Sequence, residues 1–136
     1  MATRSTIGLE ADDGTIESIY CHWDGDPSNN GKLLLEYYKE TPKIEQLLSL
    51  GSISVLAPEI GEQHDFDNPN DGWVVSYGRD RKEEDVESTV SKNREDFLSG
   101  GESYNYLFSK EGQWLVSYFD SSGFIPLVEH PDFKEE

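Results

Sequence analysis

The sequence predicts an α+β fold, an antiparallel sheet of about five strands with two main helices on one face. Two pairs of strand-forming segments are each joined by a short glycine-containing turn, which is typical of β-hairpins. Two segments with helix start and stop signals follow each other between the hairpins, within residues 30–51. Strands in pairs with grouped helices favour this class over alternating β-α units. We expect one domain over residues 1–136, with an irregular tail from about residue 121.

The first hairpin joins residues 5–10 to residues 15–23. Both segments are rich in strand formers, and the turn ADDG places Gly14 where a positive φ is needed. The second strand runs directly into the stretch YCHWDGDP, which begins at residue 20 and concentrates aromatic, thiol, imidazole and carboxylate side chains. This stretch is therefore the first candidate for a functional site.

Alternation along the second strand assigns its side chains to two faces. Ile19, Cys21 and Trp23 point one way, whereas Tyr20 and His22 point the other. We expect Trp23 to belong to the core and Cys21 to be a small buried hydrophobic residue.

The two predicted helices follow the loop DGDPSNNG. Either asparagine of this loop can cap a helix over about residues 31–40. A Thr-Pro pair at residues 41–42 is typical of a second helix start, and Gly51 is a suitable C-terminal cap for that helix.

The rest of the chain contains further segments with recognisable local patterns. We expect an extended piece or a single turn in SISVLAPEI and a polar loop in GEQHDFDNPNDG. We expect a strand in WVVSYG, a charged turn in RDRKEED and another strand over residues 86–90. A short helix in NREDFLSGG and a second hairpin in YNYLFSKEGQWLVSYF follow. In the tail, Phe124, Ile125 and Leu127 are expected to pack back on the body of the domain.

The charge balance restricts the partners of the protein. Asp and Glu number 28 against 11 Lys and Arg, so the net charge is -17. Such a field repels nucleic acid and anionic membranes and suits a basic protein partner, although it also keeps a small protein in solution. No apolar stretch approaches the roughly 18 residues that span a bilayer, and we see no signal peptide. We therefore expect a cytoplasmic protein that binds neither membranes nor nucleic acid directly.

The apolar content predicts self-association. Hydrophobic residues make up only 35% of the chain, and aromatic residues make up 12%. We expect a small, aromatic-rich core and a homo-oligomer, with rings such as Tyr104 and Tyr106 buried against a partner copy.

The stretch YCHWDGDP fits neither a dedicated metal site nor a cysteine nucleophile. Cys21 and His22 are adjacent, so in a strand they face opposite sides and can neither share an ion nor act as a nucleophile and base. The loops DGDPSNNG and DFDNPNDG lack the spacing of a calcium loop. We expect no metal and no cofactor. A pair in which Asp24 orients His22 to activate a water leaves a small hydrolase as an alternative.

The stretch YGRDR, residues 77–81, is the second candidate. Arginine recognises phosphate and carboxylate through its planar fork. In a chain with 11 basic residues, Arg79, Arg81 and the N-terminal Arg4 are notable, although they can equally pair with the many nearby carboxylates.

Several stretches together resemble one family: ATRSTIGLE, SIYCHWDGDPSNNGKLLLEYY, LLSLGSIS and YGRDR. They are similar to small acidic tailed-phage proteins of unknown function that carry a Tyr-Cys-His-Trp-Asp-Gly block and a Tyr-Gly-Arg-Asp-Arg block. The likeness extends to about Arg81 and is looser afterwards. Asp26 replaces an aromatic or aliphatic residue, and Tyr37 replaces a frequent histidine. The resemblance implies a phage accessory protein that acts in the infected bacterial host, and small proteins of this kind often blunt host defences.

Two functions from different classes fit this setting, and we favour the first. It is a binding module that sequesters a small anionic, nucleotide-derived signal in a pocket where the two blocks meet, which requires their strands to be parallel neighbours. Its site combines arginines for phosphate, aromatic rings for stacking and polar groups for hydrogen bonds: Arg4, Arg79 and Arg81; Tyr20, Trp23 and Tyr77; His22 and Asp24. The alternative is an inhibitor whose acidic face imitates DNA and occupies a basic host protein. A binding protein is favoured over an enzyme.

Overall fold

The computed structural model describes residues 3–99, 102–118 and 124–127. Within these residues eight strands form one sheet: β1 (Ser5–Glu10), β2 (Ile16–Cys21), β3 (Ile53–Val55), β4 (Val75–Ser76), β5 (Thr89–Ser91), β6 (Tyr104–Phe108), β7 (Trp114–Tyr118) and β8 (Ile125–Pro126). Their order across the sheet is β4-β3-β2-β1-β6-β7-β8, and β5 also pairs with β2. Both predicted hairpins, β1-β2 and β6-β7, are confirmed.

The sheet is mixed, so the prediction of an antiparallel sheet was wrong, whereas about five strands with two main helices agrees roughly with the structure. β1 pairs with β6 in parallel, and β2 pairs with β3 in parallel. Two helices lie on the connection between β2 and β3, and this long connection returns the chain to the end of the sheet where β2 began. The turn signals of the sequence are local, so they predict each hairpin but not the way in which the hairpins associate.

Four α-helices and one π-helical turn accompany the sheet over the described residues. The π-helical turn covers Pro27–Gly31, and the α-helices are α1 (Lys32–Tyr37), α2 (Thr41–Leu48), α3 (Tyr77–Arg81) and α4 (Arg94–Ser99). The α+β class and the two helices within residues 30–51 are confirmed. The tail prediction for residues 119–123 and 128–136 lies outside the described residues.

The start of the first helical region differs from the prediction. Neither asparagine caps it; instead Asp26 precedes the π-helical turn, and its carboxylate accepts hydrogen bonds from the Ser28 hydroxyl and the Asn29 amide. Asn30 is buried and donates to the carbonyl of Trp23 at 3.2 Å. Asn30 therefore connects this turn to the end of β2 instead of capping α1.

The second predicted helix has the expected ends. Pro42 lies in the first turn of α2, where its missing N–H has no helical partner to lose. Gly51 follows the helix with φ of +75°, and its N–H donates to the carbonyl of Leu48. The left-handed conformation at Gly51 suits glycine and ends the helix.

The main core lies between one face of the sheet and helices α1 and α2. It is built from alternate strand residues and the apolar sides of the two helices: Ile7, Ile19, Cys21, Ile53, Tyr106, Val116, Leu34, Ile44, Leu47 and Leu48. Tyr106 is fully buried in this core and donates its hydroxyl to the carbonyl of Gly25 at 2.6 Å. Tyr106 therefore needs no partner copy for burial, which removes it from the argument for an oligomer.

A smaller cluster covers part of the opposite face. Phe97 of α4 packs there with Ile16 and Leu107, and Phe124 joins them. Leu127 is buried in the main core, and Ile125 packs against that core. The prediction that Phe124, Ile125 and Leu127 pack back on the body is confirmed. The remainder of this face carries polar side chains, and Tyr20 of the first block lies on this side.

Two predictions about the blocks were wrong. β2 ends at Cys21, so Trp23 lies past the strand and is 42% exposed instead of belonging to the core. The strand predicted over residues 73–77 is only Val75–Ser76, and the residues after it form α3 rather than a charged turn. The hydroxyl of Ser76 accepts from the N–H of Arg79, so a serine cap starts this helix.

Within the described part of the chain, every helix is too short or too polar to cross a membrane.

Candidate functional site

Two consecutive contacts join three aromatic side chains at the end of β2. The hydroxyl of Tyr20 is 2.7 Å from Nδ1 of His22. The ring of His22 meets the exposed indole of Trp23 edge-on, with ring centroids 4.8 Å apart. We call Tyr20, His22 and Trp23, together with Arg4, the Tyr20 cluster.

The backbone of Trp23 is held firmly although its ring is exposed. Its N–H donates to the carbonyl of Ser54 at 3.0 Å, and its carbonyl accepts from the Asn30 amide. The Cys21 thiol donates to the same carbonyl at 3.6 Å. The indole is therefore an exposed apolar surface on an anchored backbone, which suits a stacking ligand.

The hydroxyl of Tyr20 controls which polar group His22 presents to the solvent. Burial raises the pKa of Tyr20, so the phenol keeps its proton. When this hydroxyl donates to Nδ1, the neutral imidazole carries its proton on Nε2. His22 then offers an N–H donor to a ligand.

Arg4 lies beside this group. It directly precedes Ser5, which pairs with Cys21, so it is next to the end of β2. Burial is the main influence on the pKa of Tyr20, and the positive charge of Arg4 acts against it. Arg4 is exposed, and within the described residues its side chain makes no hydrogen bond or ion pair. Arg4 is therefore available to an anion.

Asp24 does not orient His22. The Nδ1 atom that would face a carboxylate is instead bonded to Tyr20. Asp24 is exposed with φ of +58°, a left-handed conformation that aspartate tolerates, and its carbonyl accepts from Asn30. The predicted His22/Asp24 pair is not assembled, and Asp24 lies at the edge of the Tyr20 cluster.

Cys21 is buried as predicted. It is fully excluded from solvent, and this burial raises the pKa of its thiol to about 11. The thiol is therefore protonated at neutral pH and is not a nucleophile.

The second block places Arg79 inward. Its guanidinium donates to the carbonyls of Ile60 and Val74 at 2.8 and 2.6 Å. It also forms a forked pair with the carboxylate of Asp80, at 2.9 and 3.1 Å. These internal contacts occupy the fork that was predicted to hold phosphate.

Asp80 and His64 complete this arrangement, and we call His64, Arg79 and Asp80 the Asp80 network. The carboxylate of Asp80 is fully buried and also accepts from the N–H groups of His64 and Ser76. Desolvation opposes its ionisation, but these hydrogen bonds and Arg79 outweigh it, so the pKa of Asp80 lies below its ordinary value.

His64 lies in the polar loop GEQHDFDNPNDG, outside both candidate blocks. Its Nδ1 accepts from the N–H of Asn70 at 2.9 Å, so its proton is on Nε2, which faces the carbonyl of Val74 at 3.0 Å and Asp80 at 3.2 Å. No local pattern in the sequence indicates this role, because the partners of His64 are 6 to 16 positions further along the chain.

Arg81 and Tyr77 point elsewhere. Arg81 pairs with Glu83, and its guanidinium stacks over the rings of Phe66 and Tyr77, with centroid distances of 4.3 and 5.2 Å. Tyr77 adds to the raised pKa of Tyr20 after burial and other charges, which places the two phenols within electrostatic range.

The two blocks are therefore only partly brought together. Their strands β2 and β4 are separated by β3, and across this row Cys21, Ile53 and Ser76 are in register. β2 runs parallel to β3, whereas β4 runs antiparallel to it, so the chain leaves β2 and β4 in opposite directions. The Tyr20 cluster lies within electrostatic range of Tyr77 of the second block. The guanidinium of Arg79, by contrast, bonds to the carbonyls of Ile60 and Val74.

A groove of about 440 Å³ adjoins the Tyr20 cluster, and no pattern in the sequence predicted it. Residues of β1, β2, β5 and α4 line it, and Tyr20 belongs to both the groove and the cluster. Its hydroxyl-bearing side chains come from strands far apart in sequence. Only the pairing of β5 with β2 brings them onto one surface.

The structure provides no evident metal site. Within residues 3–99, 102–118 and 124–127, no three or more His, Cys, Asp or Glu side chains are grouped so as to hold an ion.

Comparisons with protein-family models, curated proteins and solved structures found no match to the chain. The function is therefore inferred from the chemistry of the Tyr20 cluster, the Asp80 network and the groove.

Proposed function

We propose that the protein is a binding module that sequesters a small anionic, nucleotide-derived ligand at the Tyr20 cluster. The observation that carries this proposal is the combination of an exposed indole at Trp23 with Arg4, whose side chain has no partner among the described residues. Both groups lie at the same end of β2, on a chain whose net charge is -17. The net negative charge of the protein repels a small anion, whereas the positive charge of Arg4 attracts it to the end of β2.

Each group of the cluster has a distinct role in this proposal. Trp23 stacks on a base, an interaction worth about 1–3 kcal/mol. Arg4 binds a phosphate through a charged hydrogen bond worth about 1.5–3 kcal/mol. His22 donates from Nε2 to a ligand oxygen, and Tyr20 fixes its orientation.

Arg79 and Arg81 are removed from the proposed contacts, and Asp24 lies at the edge of the site. Arg79 makes internal bonds instead, and Arg81 is paired with Glu83. Tyr77 is kept as a wall of the site because its phenol lies within electrostatic range of Tyr20. The expected affinity is accordingly that of one arginine and one aromatic surface, not of a three-arginine pocket.

The biological setting follows from the sequence resemblance to small acidic phage proteins. A phage accessory protein in the cytoplasm of an infected bacterium would blunt a host defence by keeping a nucleotide-derived signal from its receptor. Sequestration requires tight binding and no bond cleavage. The alternative of a small hydrolase loses its main support because His22 bonds to Tyr20 instead of Asp24.

A second function, inhibition of a basic host protein, is favoured by the distribution of charge. The segment after α3 exposes Glu84, Asp85 and Glu87, whereas the nearby Arg79 and Arg81 are paired within the chain. Paired arginines do not offer their charge to a partner, so this surface presents mainly carboxylates.

We further propose that the protein is a homo-oligomer, most simply a dimer. Among the described residues, large hydrophobic side chains remain exposed at Trp23, Tyr37 and Val90. Repulsion between two chains of charge -17 opposes association. Because salt screens this repulsion, association should strengthen as the salt concentration rises. Light scattering at low and high salt tests this, and a monomeric mass in both would contradict it.

Calorimetric titration with a panel of cyclic nucleotides and ADP-ribose tests the main proposal. Arg4→Ala and Trp23→Ala should each weaken binding by about tenfold or more, the loss of one contact of this strength. Arg81→Ala and Tyr37→Ala are matched controls, since Arg81 is a paired arginine and Tyr37 is 42% exposed, as Trp23 is. Both controls should bind as the wild type does. Absence of heat with every ligand, together with tight capture of a basic host protein, would favour the inhibitor.

A further inference from the structure

The groove beside the Tyr20 cluster lies on the sheet face opposite α1 and α2. Ser18 and Tyr20 of β2 line it, Thr89 and Ser91 of β5 contribute from the neighbouring strand, and Phe97 of α4 provides an apolar wall. Its volume of about 440 Å³ is within the range of small-molecule sites, roughly 300–1,000 Å³. The groove is thus large enough for one sugar ring with its substituents.

Two serines in this groove are largely buried, and their hydroxyls have no hydrogen-bond partner among the described residues. Ser18 and Ser91 are 7% and 8% exposed, and within the described residues neither side chain makes a hydrogen bond. Other buried serines, such as Ser76 and Ser109, do bond to the protein. No described side-chain polar atom that is completely buried lacks a partner, so the residual exposure of Ser18 and Ser91 lies at their hydroxyls. Both hydroxyls therefore face the groove and are available to bond to a polar group of a ligand there.

The charges along the groove decide which chemical group fits it. Carboxylates of Glu87, Asp96 and Glu102 line it, and they repel phosphate. Carboxylates and serine hydroxyls both accept hydrogen bonds from sugar hydroxyls, and serine also donates. Phe97 and Tyr20 offer the apolar surface that the carbon face of a sugar ring can cover. The groove therefore suits a neutral, polyhydroxylated group.

We propose that this groove binds a ribose or similar sugar of the same ligand whose anionic part lies at Arg4. This inference rests on the proposed function, because Tyr20 joins the two surfaces: it lines the groove and its hydroxyl bonds to His22. The phosphate stays at the arginine end, away from the three carboxylates, and the sugar extends along β2 toward Ser18. The ligand class is thus a nucleotide that carries an additional sugar, not a simple mononucleotide.

The test compares ADP with ADP-ribose, which differ by one terminal ribose, and adds D-ribose alone as a third probe. The wild type should bind ADP-ribose about tenfold more tightly than ADP, as expected for two or more new hydrogen bonds. Ser18→Val fills the groove and should reduce this ratio to about one, whereas Ser18→Ala should reduce it partly. Arg4→Ala should weaken both nucleotides and preserve the ratio.

Ser117→Val is the matched control. Ser117 is a buried strand serine opposite Asn105, on the same sheet face but outside the groove lining, so its substitution should leave the ratio unchanged. Equal affinities for ADP and ADP-ribose in the wild type, unaffected by Ser18→Val, would overturn the sugar site and leave the proposed function standing. Absence of nucleotide binding together with ribose binding that Ser18→Val removes would overturn the proposed function and support the sugar site. No binding of any probe would overturn both.

Discussion

The Tyr20 cluster and the Asp80 network are made of similar side chains but have opposite surroundings. Each contains an arginine and a histidine close to an aromatic ring. In the Asp80 network every charged group has internal partners, and the carboxylate of Asp80 is fully buried. In the Tyr20 cluster, Arg4 and the Trp23 indole face solvent. Residue type alone therefore does not separate a structural ion pair from a binding surface; the number of hydrogen bonds already made within the chain does.

Arg79→Ala gives the largest expected effect and tests the structural side of this comparison. It removes the forked partner of a buried carboxylate and takes one donor from the carbonyls of Ile60 and Val74, although Val74 keeps Nε2 of His64. We expect a loss of about 3–5 kcal/mol in the free energy of unfolding, measured by urea denaturation. Arg81→Ala, which breaks an exposed pair with Glu83, should cost about 1 kcal/mol or less. Equal small losses for both variants would show that the Asp80 network does not stabilise the fold.

The acid sensitivity of the fold should depend on Asp80. Its pKa is lower in the folded protein than in the unfolded chain, where it is about 3.9, so the unfolded state binds this proton more readily. The stability that Asp80 contributes is present above the unfolded pKa and is lost as the pH falls through the folded one. Asp80→Asn should lower stability at pH 7 and flatten the fall in stability below about pH 4. Denaturation measured from pH 7 to pH 2 tests this, and an unchanged acid slope would contradict it.

Tyr20→Phe sharpens the description of the open site. It removes the partly buried bond to His22, so we expect a loss of about 0.5–1.5 kcal/mol in stability. The same change frees the His22 ring, and nitrogen NMR should then report both neutral tautomers instead of mainly the Nε2–H form. A double-mutant cycle with His22→Ala isolates the pair. A coupling of zero would mean that the two side chains do not hold each other.

Trp23→Ala has the smallest expected effect on stability. Because the indole is 42% exposed, its removal should cost less than about 1 kcal/mol. Trp114 is the control, since it is 5% exposed and donates to the carbonyl of Tyr38 at 2.8 Å. Trp114→Ala should cost about 3–5 kcal/mol. If both tryptophans cost the same, Trp23 belongs to the core and cannot be the proposed stacking surface.

Local signals in the sequence predicted the local elements of this fold well. The hairpin turn at Gly14 has φ of +92°, as expected, and Gly51 ends α2. Alternation failed at Trp23 because β2 stops two residues earlier, where Asp24 turns into a left-handed conformation. The alternation of side chains predicts a strand but does not indicate where that strand ends.

The candidate site was predictable only in part, for the same reason. The residues at the end of β2 are near one another in sequence, so their grouping follows from the strand itself. The role of Arg79 depends on Val74, Ile60 and a histidine 15 positions away, and only the path of the folded loop brings these together. The groove requires β5 to pair beside β2, a contact between segments about 71 to 75 positions apart, and no local pattern indicates it.

The parallel pairing of β1 with β6 governs when this chain can finish folding. Thr6 donates its hydroxyl to the side-chain oxygen of Asn105, 99 positions later, at the centre of the sheet. During synthesis the first hairpin must wait, with one edge of β1 uncovered, until β6 has left the ribosome. Contacts of such long range make folding slow compared with a helical protein of the same size, and an uncovered strand edge is prone to pair with other chains. A chain that stops before Tyr104 would keep that edge permanently, so aggregation, rather than a smaller working domain, is its expected fate.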